Sequence, residues 1–242
     1  VIDSGSRDGT LEYARDFARV TCIPKKEFNH GLTRNLGISM AEGDLVALLT
    51  QDAVPADDRW LEGLVLPFDD PRVAGVYSRQ IPNKDANPII AERLLRWSAG
   101  REKPEIKEIK DKDEFERLSP LEKLDLVSFD NVSSCVRKSI FKDHPFPKAS
   151  FGEDTKWSKE ILLAGYKIVY EPRSQVYHSH SNSIWYEFKR VYLDHQNWNE
   201  LVGLKLFPMP GEIFIAGLNG ILESWRKLDE SDLPALRRLY LK

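Results

Sequence analysis

Short apolar runs alternate with helical patterns along the first 80 residues, and this alternation is the feature that most constrains the fold. Val1-Ile2-Asp3 is typical of a strand end before a polar turn, and a helix with Asp8 as its N-cap is expected next. The run Asp44–Leu49 is almost entirely apolar, as buried parallel strands are. Strands that alternate with helices predict an α/β protein with a doubly wound sheet.

The remaining pattern extends this prediction to most of the chain. A Lys- and Glu-rich segment, residues 101–116, predicts a solvated loop or an exposed helix. Residues 1–180 are expected to form the main domain, and residues 181–242 a helical extension packed on it. The other predicted elements are helices over 30–41 (closing at Gly43), 57–68 and 153–164, and strands over 20–23, 73–77, 167–170 and 175–177. Regular patterning resumes over 126–136 after the charged segment.

Composition excludes some classes of partner. The 242 residues carry a net charge of −3 without a strongly basic block, so nucleic acid is excluded as an expected partner. Cys22 and Cys135 match neither a disulfide framework nor a metal-site spacing, which favours a reducing, cytoplasmic setting. No apolar run approaches the roughly 18–20 residues that cross a bilayer. Residues 207–218 are a candidate for peripheral contact with the inner face of the membrane, although packing on the domain or in a homodimer is the favoured interpretation.

Two carboxylates follow predicted strands. Asp3 ends the first run and Asp52 follows the buried run Asp44–Leu49. Ligands of open α/β sheets bind at the carboxyl ends of the strands, so both side chains are expected at the binding edge. A carboxylate there can hold a hard divalent cation that neutralises a diphosphate. The alternative for Asp52 is a helix or turn cap ahead of Pro55.

Five short motifs follow one another along the chain. They are Val1-Ile2-Asp3-Ser4-Gly5-Ser6-Arg7-Asp8-Gly9-Thr10, Phe28-Asn29-His30-Gly31 with Thr33-Arg34-Asn35, Leu49-Thr50-Gln51-Asp52-Ala53, Gly152-Glu153-Asp154, and Val176-Tyr177-His178-Ser179-His180. In this order they resemble family-2 glycosyltransferases of the GT-A fold, and most of all their bacterial rhamnosyltransferase branch. The likeness covers about residues 1–190. It implies an α/β GT-A fold for nucleotide-diphospho-sugar transferases, with a mixed, mostly parallel sheet flanked by helices and a C-terminal helical segment.

The resemblance implies a donor site and a reaction. The expected activity is inverting transfer of a sugar, L-rhamnose from dTDP-rhamnose or a hexose from a UDP-sugar, onto a cell-surface polysaccharide or lipid-linked glycan. Asp3 would accept a hydrogen bond from the pyrimidine base, and Arg34 would lie near the base or the diphosphate. Gln51 and Asp52 would contact the donor, with Asp52 as the last acidic position of the family's Asp-x-Asp motif. The first position of that motif is Thr50 here, which weakens the expected metal site.

His178 is implied as a second metal ligand, because similar enzymes complete the metal shell with a histidine after this strand. The expected cofactor is a divalent cation, Mn²⁺ or Mg²⁺, and a neutral imidazole suits Mn²⁺ better. His180 would share a strand face with His178 and is a weaker candidate ligand or an acceptor contact. From the residues alone, a hydrogen-bonded surface pair is the alternative for both histidines.

Asp154 resembles the family's catalytic base, and Glu153 would orient it or contact the acceptor. A carboxylate at a helix N-terminus is expected to stay ionised because the helix dipole stabilises it. Taken alone, the pair is a common first-turn feature of a helix.

Asn131, Ser133 and Trp157 are candidate acceptor contacts, with the core as the alternative for Trp157. Arg79 and Gln80 follow a predicted strand and face either the cleft or the surface.

Two further interpretations stay open. One is a degenerate nucleotide-sugar-fold module that binds a partner without turnover; Thr50 favours it, whereas Asp52, Asp154 and His178 argue against it. The other is a sugar-nucleotide nucleotidyltransferase, which would use a Gly-rich basic loop near its start. The family's opening strand and helix are not recognised before Val1, so the sequence is interpreted as an incomplete domain that is expected to be unstable alone.

Overall fold

The computed structural model of the chain describes residues 1–86, 88–180, 182 and 184–205. Residues Val1–Gly203 form one compact unit. Its strands are β1 (Ile2–Asp3), β2 (Thr21–Cys22), β3 (Leu45–Leu49), β4 (Val54–Pro55), β5 (Val73–Ile81), β6 (Glu105–Lys107), β7 (Ser133–Arg137) and β8 (Lys167–Tyr177). Its helices are α1 (Thr10–Arg15), α2 (His30–Met40), α3 (Trp60–Val65), α4 (Pro88–Arg96), α5 (Lys112–Arg117), α6 (Pro120–Leu126), α7 (Lys138–Phe141), α8 (Glu153–Leu163) and α9 (Ile184–Val202).

The main sheet has six strands and is mixed. Its order is β3-β7-β5-β8-β4, with β6 also paired to β8. β5 and β8 are parallel, whereas β3/β7, β5/β7, β4/β8 and β6/β8 are antiparallel. β1 and β2 form a separate parallel pair. The prediction of a mixed α/β sheet flanked by helices is confirmed, but antiparallel pairs outnumber parallel ones among the described strands.

The core lies between the sheet and helix α8. Trp157 on α8 is fully buried and packs against Phe129, Phe141 and Phe146. Gly75 on β5 faces the same indole, and a Cβ there would lie 2.9 Å from it, so the strand and α8 approach closely at a residue without a side chain. This packing fixes the height of α8, and therefore of its first residues, over the sheet.

One strand pairing sets the position of the candidate metal ligands. β4 pairs antiparallel with the end of β8, with Val54 opposite Tyr177. Asp52 precedes β4 by two residues and His178 follows β8 directly, so the pairing brings them together across a long sequence separation.

Several local predictions are wrong in detail. Helix α1 begins at Thr10 with Gly9, at φ +87°, as its N-cap, while Asp8 accepts hydrogen bonds from Thr10. Helix α2 ends with Ala41 in an extended conformation, so Gly43 is not the left-handed terminator. Strand β3 pairs antiparallel with β7, whereas its apolar run is typical of a parallel strand. The two strands predicted over 167–177 form the single strand β8.

The Lys- and Glu-rich segment contains a buried lysine. Lys107 on β6 is 1 % exposed, and its ammonium donates to the carbonyls of Asp125 and Ser128 and to the Ser128 hydroxyl. Burial lowers its pKa to about 8. The prediction of a solvated loop or an exposed helix over 101–116 is therefore wrong at β6, because acceptors from the following segment satisfy this amine. It holds for helix α5, which is exposed apart from Phe115.

The predicted domain boundary after residue 180 stays a prediction. Helix α9 belongs to the same compact unit as the sheet, and Leu201 reaches the main core. Residues 206–242, including the candidate membrane-contact segment 207–218, lie outside the described residues. Among the described helices, none combines the length and apolar character required to cross a membrane.

Candidate active site

Asp52, His178 and His180 form a cluster where β3 and β8 end. The Nε2 atom of His178 lies 3.6 Å from one carboxylate oxygen of Asp52, and the Nε2 atom of His180 lies 3.7 Å from the other. The two imidazole rings stand edge to face, 4.5 Å apart between centroids. One atom from each side chain therefore falls within 4.8 Å of the other two, a spacing that three ligands of a single ion can have.

The histidine segment is held by the end of β5. The amide of His178 donates to the carbonyl of Ile81 over 3.0 Å. Asn83 binds Ser179 from the same side. Its backbone amide donates to the Ser179 hydroxyl over 3.1 Å, and its side-chain amide donates to the Ser179 carbonyl. These bonds fix the backbone of the segment that carries the two imidazoles. The position of both rings beside Asp52 is therefore held by backbone hydrogen bonds as well as by side-chain contacts.

The His178 imidazole is well suited to bind a cation as a neutral ligand. Its side chain is 12 % exposed, compared with 44 % for Asp52. Burial lowers the pKa of His178, and the neighbouring His180 lowers it further, while Asp52 acts in the opposite direction. The Nδ1 atom lies 2.8 Å from the side-chain oxygen of Gln80. The imidazole is thus held at one nitrogen while the other faces Asp52.

The donor set of this cluster fits a divalent transition ion. Imidazole nitrogen is a preferred ligand for Zn²⁺ and an acceptable one for Mn²⁺, whereas Mg²⁺ prefers oxygen ligands and retains water. Asp52 keeps the exposure that a phosphate oxygen or a water molecule needs to share the same ion. Thr50, which stands at the first position of the implied Asp-x-Asp motif, donates through its hydroxyl to the Val132 carbonyl over 3.3 Å. His180 therefore offers a candidate ligand atom, whereas the Thr50 hydroxyl is directed at the Val132 carbonyl.

A second group of charged side chains surrounds the start of α8. Gly152 caps this helix in the left-handed conformation, at φ +69°, and Glu153 and Asp154 are its first two residues. Arg34 on α2 donates to Glu153 over 2.8 Å, and the two side chains are 17 % and 8 % exposed. Arg34 was predicted near the base or diphosphate of the donor; its observed partners are Glu153 and, at 3.5 Å, the Asn131 carbonyl.

Asp154 lies deep in the protein but keeps part of its surface exposed. Burial raises the pKa of Asp154 well above its ordinary range, and the carboxylates of Glu153 and Asp130 raise it further. Hydrogen bonds from Thr155 and the charge of Arg34 act in the opposite direction. The expectation that the helix N-terminus keeps Asp154 readily ionised is wrong in direction, because desolvation and like charges outweigh it. A carboxylate with a raised pKa is the stronger proton acceptor.

Three consecutive residues connect the two groups. Asp130 accepts from the side chain of Gln80, which contacts His178. The amide of Asn131 donates to Asp154 over 3.4 Å. The carbonyl of Val132 accepts from the Thr50 amide over 3.0 Å. We call residues 130–132 the connecting segment. Through it, hydrogen bonds join the Asp52 cluster to the start of α8.

The loop after β1 forms a cleft of its own. Asp3 is 7 % exposed and accepts hydrogen bonds from the amides of Gly5 and Ser6 and from the Ser6 hydroxyl. The Ser6 hydroxyl and the Gly5 amide lower the pKa of Asp3. A cleft of about 650 Å³ adjoins this loop, and its lining includes Arg7 and Lys25. Asp3 thus shapes the loop through its own turn, and its contact with a donor base stays a prediction.

The candidate acceptor residues divide into two groups. Asn131 is 2 % exposed and lies 3.5 Å from Glu153, at the start of α8. Ser133 is 2 % exposed and bonds to Trp60 and Ser78, away from solvent. Trp157 is fully buried, and its indole donates to the His144 carbonyl. The prediction that Trp157 contacts a sugar is therefore wrong, since the ring fills the core.

Gln51 and Gln80 have different environments. Gln51 is exposed beside Asp52, where a donor contact stays a prediction. Gln80 is 4 % exposed and contacts both His178 and Asp130, so it faces the site and not the surface. Sequence reasoning missed Asp130. A signal for it exists in the sequence, because it is an acid that directly follows the mostly apolar segment Leu126–Phe129.

Residues 1–135 match the family described as "Glycosyl transferase family 2". The chain is 35 % identical over 198 residues to the O-antigen chain rhamnosyltransferase RfbN of Salmonella typhimurium, covering 79 % of this chain and 60 % of that protein. It is also 35 % identical over 196 residues to the O-antigen chain rhamnosyltransferase WbaN of Salmonella anatum, covering 79 % of this chain and 59 % of that protein. The chain spans about 60 % of the length of these curated relatives.

Two solved structures share the fold of this chain. One is the mannosyltransferase PcManGT from Pyrobaculum calidifontis in complex with GDP-Man and Mn²⁺, with a TM-score of 0.54 at 18 % identity over 81 % of this chain and 51 % of that one. The other is S. aureus TarS 1-349 in complex with UDP-GlcNAc, with a TM-score of 0.52 at 16 % identity over 76 % and 49 % of the two chains. At these identities the likeness establishes the GT-A fold alone.

Proposed function

Because the chain belongs to glycosyl transferase family 2, we propose that it carries the donor site and the catalytic carboxylate of an inverting, metal-dependent sugar transferase. The donor we favour is dTDP-L-rhamnose, and the acceptor is a growing cell-surface polysaccharide or a lipid-linked glycan. The names of the two curated relatives support rhamnose and a polysaccharide acceptor. A UDP-hexose is the alternative donor. The free cysteines, Cys22 and Cys135, support a reducing, cytoplasmic location.

We propose Asp52, His178 and His180 as the residues that hold the cation, with Mn²⁺ favoured over Mg²⁺. The two imidazoles and the single carboxylate support this choice, since imidazole is a poor ligand for Mg²⁺. When bound, the cation neutralises charge on the diphosphate that leaves the sugar. Arg7 and Lys25, which line the cleft beside Asp3, are placed in the same proposal as contacts for the nucleotide phosphates.

Asp154 is proposed as the general base. It takes the proton of the acceptor hydroxyl while that oxygen forms a bond to the anomeric carbon of the donor. The bond from this carbon to the diphosphate oxygen breaks, and its electron pair leaves with the diphosphate. Attack opposite to the leaving group inverts the anomeric centre. Glu153, held by Arg34, raises the pKa of Asp154 and so strengthens it as a base.

The observation that carries this proposal is the connection between the cation cluster and the buried carboxylate. The connecting segment is hydrogen-bonded to Gln80 at one end of the site and to Asp154 at the other. A transferase needs its leaving-group cation and its base on opposite sides of one reacting carbon, at a fixed separation. A structural cap at Asp52 or at α8 needs no such connection.

The test is thermal unfolding with dTDP and with UDP, each with and without Mn²⁺, on the chain and on its Asp52→Ala variant. A nucleotide at a hundred times its dissociation constant adds about 2.7 kcal/mol. That corresponds to about 5–10 °C for a domain of this size. We expect a Mn²⁺-dependent shift that Asp52→Ala abolishes, larger with dTDP than with UDP. A larger shift with UDP would select the alternative donor.

Turnover separates an enzyme from a binding module. Release of dTDP from dTDP-L-rhamnose in the presence of an acceptor glycan is the expected activity. Asp154→Asn is expected to slow it strongly while the nucleotide shift remains. A full nucleotide shift without turnover, in the presence of the correct acceptor, would favour the partner-binding module that Thr50 suggests. Absence of any shift in a folded sample would contradict the donor site.

A further inference from the structure

We propose that Gln80 and Asp130 are positioning residues that hold His178 in the one tautomer able to bind a cation through Nε2. This inference rests on the proposed function of Asp52 and His178 as metal ligands. Neither Gln80 nor Asp130 belongs to the group of Asp52, His178 and His180 that would hold the ion. They act on it through the opposite nitrogen of the imidazole.

The three side chains form a hydrogen-bonded row. The Nε2 amide group of Gln80 donates to Asp130 Oδ2 over 2.6 Å. The Oε1 atom of Gln80 lies 2.8 Å from His178 Nδ1. His178 Nε2 then faces Asp52 Oδ1 at 3.6 Å. The row therefore runs from Asp130 through Gln80 and His178 to the cation cluster.

The direction of every hydrogen bond in the row follows from Asp130. Both oxygens of Asp130 accept, one from the Val132 amide and the other from Gln80, so the amide nitrogen of Gln80 faces Asp130. The amide oxygen of Gln80 must then face His178, and an oxygen there can only accept. Nδ1 of His178 must consequently carry the proton. In a neutral imidazole, this leaves Nε2 with its lone pair free.

Asp52 alone favours the opposite tautomer. Its carboxylate lies beside Nε2 and attracts a proton there, and an imidazole with Nε2–H cannot bind a cation at that nitrogen. Without Gln80, a cation would have to move that proton before it could bind. The Gln80 oxygen reverses this preference before a cation arrives, because it is the acceptor that satisfies Nδ1–H.

Gln80 and Asp130 are themselves fixed in place. Gln80 is 4 % exposed, and its backbone pairs with Val176 in the parallel β5/β8 ladder. The second oxygen of Asp130 accepts from the Val132 amide over 2.9 Å, so this carboxylate is held from both sides. Rigid outer partners of this kind are how proteins orient metal-binding histidines.

Four variants test the direction of the row. Asp130→Asn keeps the size of the side chain but can both donate and accept, so the Gln80 amide is free to turn over. Gln80→Leu removes the acceptor for Nδ1. The double variant Q80E/D130N restores the direction, because the new amide donates to the new carboxylate, which still accepts from Nδ1–H. Ser78→Ala is the matched control, since Ser78 is a buried residue of the same strand that bonds to Ser133 and Ser174.

Two measurements are made on each folded variant. Long-range ¹⁵N–¹H NMR of the metal-free protein reports the His178 tautomer, and electron paramagnetic resonance of added Mn²⁺ reports its dissociation constant. We expect Nδ1–H in the wild-type chain and in Ser78→Ala. We expect Asp130→Asn and Gln80→Leu to gain Nε2–H and to bind Mn²⁺ about 10- to 100-fold more weakly. Q80E/D130N is expected to regain both wild-type properties.

The outcomes separate this inference from the proposed function. Wild-type tautomer and affinity in Asp130→Asn and Gln80→Leu, with Mn²⁺ binding lost in Asp52→Ala, would overturn the positioning role and leave the metal site standing. The same weakening in Ser78→Ala would show a general effect of lost buried hydrogen bonds and would also overturn it. Mn²⁺ binding that is absent, or unaffected by Asp52→Ala, would refute the metal site and the positioning role together.

Discussion

Replacing Arg34 by Met is predicted to destabilise the fold through the carboxylates at the start of α8. Arg34 and Glu153 form an ion pair of 2.8 Å with side chains 17 % and 8 % exposed. Asp154 follows Glu153, and the carboxylates of Glu153 and Asp130 both raise its pKa, whereas Arg34 lowers it. Removal of Arg34 leaves this group of like charges without its guanidinium.

The magnitude follows from the burial of the pair. Removing one partner of a buried ion pair costs about 3–5 kcal/mol. Arg34 keeps 17 % of its surface exposed, so we expect the lower end, about 3 kcal/mol. That is a large part of the total stability of a domain, which is about 5–15 kcal/mol.

A double-mutant cycle identifies the cause of the loss. Glu153→Gln removes the other partner and one of the charges that act on Asp154. Urea unfolding of Arg34→Met, Glu153→Gln and the double variant gives the three free energies of unfolding. We expect the double variant to be more stable than Arg34→Met alone, because the uncompensated charge has gone.

The pH dependence has a defined sign. In Arg34→Met the folded-state pKa of Asp154 rises further above its unfolded value, because the guanidinium of Arg34, which lowered this pKa, is missing. The folded state then binds this proton more tightly than the unfolded state does. Stability is therefore retained at low pH and lost as the pH rises from the ordinary carboxylate range through the folded-state pKa. A loss below about 1 kcal/mol at pH 8, or a double variant no more stable than Arg34→Met, would refute the reasoning.

Two further substitutions address the same helix terminus. Asp154→Asn is expected to lower kcat by about 10²–10⁴-fold and to raise the unfolding temperature at pH 8, since a desolvated charge is removed; turnover near the wild-type rate would contradict its role as the base. Gly152→Ala is expected to cost about 1–2 kcal/mol for the left-handed backbone at φ +69° and more because its Cβ would overlap the buried amide of Asn197. In urea unfolding, the double variant G152A/N197A should regain the stability lost to the overlap with Asn197 but not the stability lost to the left-handed backbone. Wild-type stability in Gly152→Ala would contradict both expected losses.

Local patterns predict the elements that carry the site. The apolar run that becomes β3 and the periodicity of α2 and α8 follow from side-chain spacing alone, and each element lies close to its predicted position. Family resemblance implies His178 as a second metal ligand beside Asp52. The two side chains lie 3.6 Å apart, and their joint role at a metal stays a prediction. The pairing of β4 with β8 that creates this approach has no local signal, because its register depends on residues more than 100 positions apart.

Burial and hydrogen-bond partners that come from distant parts of the sequence could not be predicted. Lys107 lies in a segment whose composition indicates exposure, yet Asp125 and Ser128 provide three acceptors that make its burial tolerable. Gln80 and Asp130 are 50 positions apart, and each is unremarkable within its own segment. Trp157 is an aromatic residue of the kind that can stack on a sugar ring. Only its complete burial in the folded structure shows that it belongs to the core.

The connecting segment also explains why a threonine can stand where the family's metal motif has an acid. The Thr50 amide and hydroxyl both donate to the Val132 carbonyl, whereas a carboxylate at position 50 could not donate through its side chain and would face that carbonyl oxygen. It would also add negative charge beside a segment that already holds Asp130 and contacts Asp154, whose pKa is raised by like charges. In the proposed site, the neutral imidazole of His180 supplies a ligand atom for the cation without that repulsion. If the proposed roles hold, a histidine at position 180 in place of an acid at position 50 would keep the number of ligands and would spare the proposed base, Asp154, an additional like charge.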